Sequence, residues 1–430
     1  MAAGELHAYL DGVRAGTFTQ TAQGSLGFEY DEVYRQRRGA TPMSLSMPLT
    51  RRTHRNATAR AYLQGLLPDN PSRLEELGVL YKASPRNPFA LLEHVGRDTP
   101  GAVQLLAPGD ASTDAATRTG DVDVHTDEEV ADIIGDLVAN ADTWGRRASG
   151  RWSLPGAQPK VAFVNTDDGH WATPRDATPT THILKPAVHP CTQHHVNEFM
   201  TMQAAGHLGL VVASSDLIQT VGGHNVFVSA RYDREKRGGQ WRRRHQEDLC
   251  QALAVSPTGK YQTDGGPGVA KISDLFLSLP SREDRDQNTL RFLEALAFNL
   301  AAAGTDAHAK NYSLLLQGSG ARLAPLYDLG THAPYPTRNS APFELAMSID
   351  GEYVMDCVGI EALVRTGRRL RIDEDRARER VTAILTGVAD AFAQAADDAR
   401  AVMSDDPSIS RVLDAVTEYA ANRGWTSGVA

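Results

Sequence analysis

The sequence predicts an α+β fold of two lobes with a crevice between them, and three observations lead there. Residues 150–235 carry short β-type runs separated by polar turns. After Gln246 the apolar spacing becomes helical almost throughout. The 430 residues, 41% hydrophobic and 23% charged, suffice for one large bilobal domain or two smaller ones. A mixed half followed by a helical half places the crevice between them.

In chain order, residues 5–30 alternate like short strands, with turn signals at Asp11-Gly12 and Gly24. Residues 57–98 read as helices around loops rich in Pro, Asn and Asp. Residues 107–129 mix Gly, Ser, Thr and Asp and read as a solvated loop. A helix near 128–140 follows, with Val130, Ile133, Ile134 and Leu137 at helical spacing. Strands are expected at Val161-Ala-Phe-Val, Thr181-His-Ile-Leu-Lys and Val226-Phe-Val-Ser-Ala-Arg-Tyr, interrupted by a helix over 193–209. Further helices are expected at 246–254, 270–280, 287–303, 373–398 and 408–423, with short strands near 312–317 and 322–326. There is no internal repeat. The division expected is 1–140, 141–245 and 246–430.

Composition excludes several classes. A formal net charge of −9 gives the whole molecule no attraction to a phosphate backbone, so a nucleic-acid contact needs a local patch. Cys191, Cys250 and Cys357 are odd in number and lack a CxxC pair, which points to reduced thiols in a cytosol. The start, MAAGELHAYLDG, has no signal-peptide pattern, and no apolar run approaches the ~20 residues of a membrane span. A cytoplasmic protein is expected.

The chemistry is concentrated in Thr305-Asp306-Ala307-His308-Ala309-Lys310-Asn311 and Pro325-Leu326-Tyr327-Asp328-Leu329-Gly330. Phosphoryl transfer from Mg-ATP needs one carboxylate for the attacking hydroxyl and oxygen ligands for Mg²⁺. In protein kinases the catalytic Asp precedes a metal-binding Asn by five positions, and a second Asp heads a D-x-G turn. Asp306, Asn311 and Asp328-Leu-Gly have that order and spacing. Each alone is an ordinary turn-former. Together they favour the kinase reading, with 312–326 as a hairpin returning Asp328 to the site.

Two weaker elements join them. Ser153-Leu-Pro-Gly-Ala-Gln-Pro-Lys160 is a small-residue turn before a strand, able to bring N–H groups and a lysine to phosphates, yet resembling neither GxGxxG nor a Walker A loop. Lys185 ends a strand about where a kinase lysine meets the α- and β-phosphates, and Glu198 on the next helix can pair with it. The bland alternatives are a surface turn and a snorkelling lysine.

These residues resemble the HipA family of toxin kinases over nearly the whole chain. Further family-like stretches are Leu45-Ser-Met-Pro-Leu, Leu66-Leu-Pro-Asp-Asn, Val95-Gly-Arg-Asp, Gly101-Ala-Val, Pro179-Thr-Thr-His-Ile-Leu-Lys, Asn197-Glu, Gln246-Glu-Asp-Leu-Cys-Gln, Lys260-Tyr and Gly265-Gly-Pro-Gly. The resemblance implies a distant protein-kinase-like fold with an added N-terminal α/β subdomain and an all-α C-terminal lobe. It implies a HipB-like helix-turn-helix antitoxin as partner, operator DNA met through that antitoxin, and a translation-linked protein substrate such as an aminoacyl-tRNA synthetase. Carried over by residue, Asp306 is the catalytic base, and Asn311 and Asp328 hold Mg²⁺. Pro155, Gly156, Ala157, Gln158, Pro159 and Lys160 form the phosphate loop, and Lys185 contacts phosphates. His308, Lys310 and Tyr327 line the nucleotide side, and backbone groups of Ala230, Arg231 and Tyr232 hold the adenine. Ser153 is the autophosphorylated serine. Where the family often has glutamate, this chain has Ala230, and Pro155 and Pro159 are unusual in the loop.

Two signals are set aside. Cys191-x-x-His194-His195, with His182 and His189 nearby, lacks the second ligand pair of a zinc site. Arg231 to Arg244 holds seven Lys/Arg around Gly238-Gly239 and reads first as a solvated hairpin, with a nucleic-acid or partner contact as the alternative. The metal-binding core does not name the acceptor. A kinase for a small-molecule hydroxyl and a catalytically silent co-repressor therefore stay open beside the toxin kinase.

Overall fold

The computed structural model describes residues 2–110, 113–144, 152–188, 193–335, 341–404 and 406–425. The chain forms two compact units, each discontinuous in sequence. The first comprises Met1–Pro186, Gln219–Thr258 and Ser313–Ala321; the second comprises Ala187–Ile218, Gly259–Tyr312 and Arg322–Ala430.

The first unit opens on an antiparallel sheet of Ala2–Leu10, Val13–Thr21, Leu26–Tyr30, Thr53–His54 and Val103–Leu106. Leu10 pairs with Val13 across the two-residue turn Asp11-Gly12, both at positive φ (49° and 84°), as the Asp-Gly signal predicts. Alternation aims Leu6, Phe18 and Phe28 at one face, where they form a core with Tyr62 of helix Asn56–Gly65. The Asn-Pro pairs start the next two helices, Pro71–Tyr81 and Pro88–Val95. Asn70 and Asn87 accept the N3 backbone hydrogen bonds.

A second antiparallel array holds the three strands expected between 150 and 235, as Val161–Asn165, His182–Pro186 and Asn225–Ala230, and one that was not foreseen, Trp171–Pro174. One outer strand, Val122–Val124, lies in the stretch expected to be a solvated loop, which also buries Ala115 and Arg118. A three-residue strand among polar residues is too short to show a period. The helix after it, Asp127–Ala139, begins with a Thr126/Glu129 capping box and buries Val130, Ile134 and Leu137.

The helix expected at 246–254 is shorter. Gln246–Asp248 is a strand paired with Ser313–Gln317, and only Leu249–Ala252 is helical. Asp248 stops the helix from extending backward, because its carboxylate caps the Gln251 N–H.

The second unit is mainly helical. Its helix Glu374–Val402 packs against His194–His207, Arg282–Ala301, Ile360–Arg369 and Pro407–Asn422. Residues 292–301 are all buried, as a helix in the middle of a core must be. The helix Ile360–Arg369 and the hairpin Glu344–Ile349/Glu352–Val354 were not foreseen. Among the described residues no helix is long and apolar enough to cross a membrane.

Candidate active site

Within the second unit the buried helix Arg282–Ala301 ends at Ala302, and the chain reverses through Ala303 at φ 50°. The Gly304 N–H returns to the Asn299 carbonyl at 2.7 Å. The loop Thr305–Asn311 then folds on itself. The His308 N–H donates to the Asp306 carbonyl (2.8 Å), the Asn311 N–H donates to the His308 carbonyl (2.9 Å), and Ala309–Asn311 make one 3₁₀ turn. The five-residue spacing has a direct consequence. Asn311 Nδ2 donates to the backbone carbonyl of Asp306 at 2.8 Å, so the amide oxygen is the atom left to face outward.

The Asp306 side chain is 56% exposed, and its Oδ1 accepts from the Tyr261 hydroxyl. His308 lies beneath it, buried, with Nε2 4.0 Å from Asp306 Oδ1 and its ring edge-on to Tyr261. Burial pushes the His308 pKa down, against the opposing pull of Asp306 and Asp328, so the ring is neutral near pH 7. Lys310 is buried, and its carbonyl accepts from the Tyr327 hydroxyl at 2.7 Å. That bond ties the residue before Asp328 to the loop of Asp306. Asp328 itself sits at φ 56°, a conformation that costs a non-glycine residue energy and persists where the surroundings impose it.

Asn197 fixes the chain beyond Asp328. Its amide donates to the Thr331 carbonyl (2.7 Å) and accepts from the Thr331 N–H (2.9 Å), with the side chain fully buried. The outcome is one cleft lined by Asp306, Asn311 and Asp328 together with Asn299, Gly304 and Gly330.

The first unit holds the other expected groups. The loop 153–160 is anchored on Leu66-Leu-Pro-Asp-Asn70. The Ser153 hydroxyl donates to the Leu66 carbonyl (2.6 Å), the Asp69 N–H donates to the Gly156 carbonyl (3.0 Å), and Asn70 Nδ2 donates to the Ala157 carbonyl (3.2 Å). Ser153 is only 1% exposed. Lys160 closes the loop with Nζ on the Pro155 carbonyl at 2.7 Å and 5.3 Å from the centre of the Trp144 ring. Gly156 adopts φ 102°, and a Cβ there would lie 2.4 Å from Lys160 Nζ, so the turn requires glycine. Gln158 is half-buried and Pro159 buried. Lys185 is buried in its strand, with Nζ 5.6 Å from the Phe227 ring centre. Glu198 is buried in the second unit, with Oε2 3.6 Å from His194 Nε2.

Residues 230–232 need a correction. The Arg231 N–H donates to the Thr181 carbonyl at 2.8 Å, so it is already used within the sheet. The Arg231 guanidinium binds Asp98, Asp233, Thr180 and the Thr99 carbonyl. The Tyr232 hydroxyl donates to Gln246 Oε1 at 2.6 Å.

The basic run 231–244 is corrected with it. The hairpin exists, as Arg234–Arg237 and Gln240–Arg243 around Gly238-Gly239. Yet Arg231, Arg234 and Arg243 are buried, and all three converge on Asp98. Asp98 also accepts from Thr180, and the three guanidinium groups hold its carboxyl far below the usual carboxylate range despite the opposing cost of burial. Its carbonyl takes the Ser153 N–H at 2.9 Å, so this ion cluster also supports the phosphate-loop candidate. Of the residues set aside as a metal site, Cys191 and His189 lie outside the described residues, while His195 Nε2 sits 3.4 Å from Asp406.

Asp98, Asn197 and Tyr261 carried no role in the sequence reading. Each lay in a stretch noted only as family-like, and that likeness was the available signal.

Comparison with known proteins places this arrangement. The HipA N-terminal domain family matches residues 6–106, and the HipA-like C-terminal domain family matches residues 152–395. The protein Y4mE of Sinorhizobium fredii, named as a candidate kinase, is 32% identical over 96% of this chain and 97% of its own length. The serine/threonine-protein kinase toxin HipA of Shewanella oneidensis is 31% identical over 73% of this chain and 71% of its own. The solved complex of Shewanella oneidensis HipA with HipB and operator DNA superposes with a TM-score of 0.79 at 25% identity, over 98% of this chain and 97% of that one. The mixed fold is therefore the kinase-like fold of that structure. The chain belongs to the HipA family of serine/threonine-protein kinase toxins.

Proposed function

We propose that this chain is the toxin of a toxin–antitoxin pair, a Mg-ATP-dependent serine/threonine protein kinase with Asp306 as catalytic base. The observation that carries the reading is the single cleft shared by Asp306, Asn311 and Asp328. Exposed and held through Oδ1 by Tyr261, Asp306 orients the acceptor hydroxyl and takes its proton. Asn311 and Asp328 offer hard oxygen donors of the kind Mg²⁺ takes, and the Asn311 nitrogen is already committed to the Asp306 carbonyl. Mg-ATP, when bound, supplies the transferred phosphoryl group.

In the first unit, Lys185, the loop Pro155–Lys160 and the backbone of 230–232 are the groups for phosphates and adenine, with the Arg231 N–H excepted. Pairing of Lys185 with Glu198 is part of the same proposal, as is a contribution of His308, Lys310 and Tyr327 to the nucleotide side. Autophosphorylation of Ser153 switches the enzyme off.

The solved HipA relative is bound to HipB and operator DNA. By that analogy a HipB-like helix-turn-helix antitoxin neutralises this chain in the cytoplasm and carries it to operator DNA, where the two co-repress their operon. The growth-arresting target is translation-linked, an aminoacyl-tRNA synthetase by family resemblance. The test is phosphate transfer from labelled ATP to protein acceptors by the purified chain, beside Asp306→Asn. Transfer that survives in the folded variant refutes the assignment.

A further inference from the structure

The segment Tyr261–Gly268 contributes Tyr261 to the catalytic base, and its remaining residues build something else. Within the second unit they form one wall of a cavity of about 680 Å³, in the range of ligand sites. Gln262 and Gly268 stand on this wall with Lys271 of helix Val269–Ser278. Asp350, Arg365 and Arg369 line it as well.

The wall is rigid. Gln262 Oε1 accepts the Ser348 N–H at 2.9 Å and its Nε2 donates to the Ser348 hydroxyl at 3.0 Å, which locks the segment to strand Glu344–Ile349. Gly268 permits that lock, because a Cβ there would lie 2.3 Å from Gln262 Oε1.

The cavity is cationic on a chain whose formal charge is −9. Arg365 and Arg369 are four residues apart on helix Ile360–Arg369 and so share a face. Arg365 pairs with Asp350 at 2.6 Å, while Arg369 and Lys271 make no ion pair among the described residues. Three cations against one carboxylate leave a net charge of +2 in the cavity. Guanidinium groups grip carboxylates and phosphates in a planar fork. Helix Val269–Ser278 also begins there without a side-chain cap, which adds the partial positive charge of its first N–H groups.

The cavity starts next to the chemistry. Gln262 directly follows Tyr261, whose hydroxyl donates to Asp306, and adjacent Cα atoms are about 3.8 Å apart. We infer that this cavity is an acceptor subsite: it binds the carboxylate side chains of an acidic protein segment and so presents a neighbouring serine or threonine to Asp306. The inference rests on the kinase reading for its purpose, and on the cavity alone for its chemistry.

The test is direct binding by fluorescence anisotropy. A fluorescein-labelled peptide of alternating Glu and Ser is titrated with the full chain, beside the Lys/Ser counterpart and poly(U). Wild type is expected to bind the acidic peptide, more weakly as salt rises, and to bind the lysine peptide at least tenfold less. The double variant Lys271→Glu/Arg369→Glu is expected to lose at least tenfold in acidic-peptide affinity. Arg369→Gln, with melting temperature as the fold control, serves if the charge reversal unfolds the chain. Equal binding of the acidic peptide by wild type and the double variant overturns the subsite. So does an Arg369-dependent affinity for poly(U) without one for the peptide. Phosphate transfer is read separately: peptide binding that depends on Arg369, in a chain without transfer, sinks the kinase reading and leaves the anion site standing.

Discussion

The autophosphorylation proposed for Ser153 would have to begin from a buried hydroxyl. The Ser153 hydroxyl donates to the Leu66 carbonyl, its N–H donates to the Asp98 carbonyl, and the loop after it is held by the Asp69 N–H and the Asn70 amide. Reaching any active site requires these four neutral hydrogen bonds to break. At about 0.5–1.5 kcal/mol each, release costs about 2–6 kcal/mol. The released loop is then populated roughly once in thirty to once in twenty-five thousand molecules, so self-phosphorylation should be slow and limited by opening. A phosphate carrying about −1.5 to −2 charges does not return to a site built for a neutral hydroxyl, so the modification traps the released form.

Asn70→Asp tests the gate selectively. The aspartate still caps helix Pro71–Tyr81, where Asn70 Oδ1 accepts the Arg73 N–H, but it cannot donate to Ala157. Losing about 1 kcal/mol of closure should speed Ser153 phosphorylation about fivefold. Intact-mass spectrometry over a time course with Mg-ATP measures this, with Asp306→Asn as the inactive control. An unchanged rate in Asn70→Asp, or Ser153 left unmodified in a protein that phosphorylates other acceptors, refutes the reasoning.

Three further outcomes are expected. Asp306→Asn and Asp328→Asn should each lower phosphate transfer by ~10²–10⁴-fold or more and relieve growth arrest, with circular dichroism unchanged. Asp98→Asn leaves Arg231, Arg234 and Arg243 buried with only Asp233 opposing them, and should destabilise the first unit by about 3–5 kcal/mol in denaturant unfolding. Because the folded-state pKa of Asp98 is depressed, that contribution is complete above the ordinary carboxylate range and is lost only in stronger acid. Glu247 behaves oppositely. Burial pushes its carboxyl up to about 8, so the folded state holds a proton the unfolded chain gives up, and stability falls as pH rises from about 4.5 toward 8. Glu247→Gln keeps an acceptor for the Leu45 N–H and should raise the melting temperature at pH 8 more than at pH 5; equal shifts at both would show that the buried proton is absent.

The features legible in sequence are those whose geometry is local. Asp306 and Asn311 stand five apart because the amide must reach back over one 3₁₀ turn to the aspartate's carbonyl, and the sequence records that distance directly. The turn at Asp11-Gly12 is legible for the same reason, since its partners lie within a few residues. The helices of the second unit follow from their spacing, apart from Ile360–Arg369, whose four Arg and Glu residues mask its apolar face.

Only the tertiary structure decided what the charges do. In sequence, Arg231, Arg234 and Arg243 match the exposed arginines beside them. They are buried because Asp98 waits 133, 136 and 145 residues away, and no composition or period encodes that meeting. Ser153 looked like the head of an open loop, yet Leu66, 87 residues earlier, takes its hydroxyl. Whether a polar group is solvated or buried depends on which distant partner satisfies it, because an unpaired polar group costs too much to bury. That balance is struck between segments the fold brings together, and a linear reading sees each segment alone.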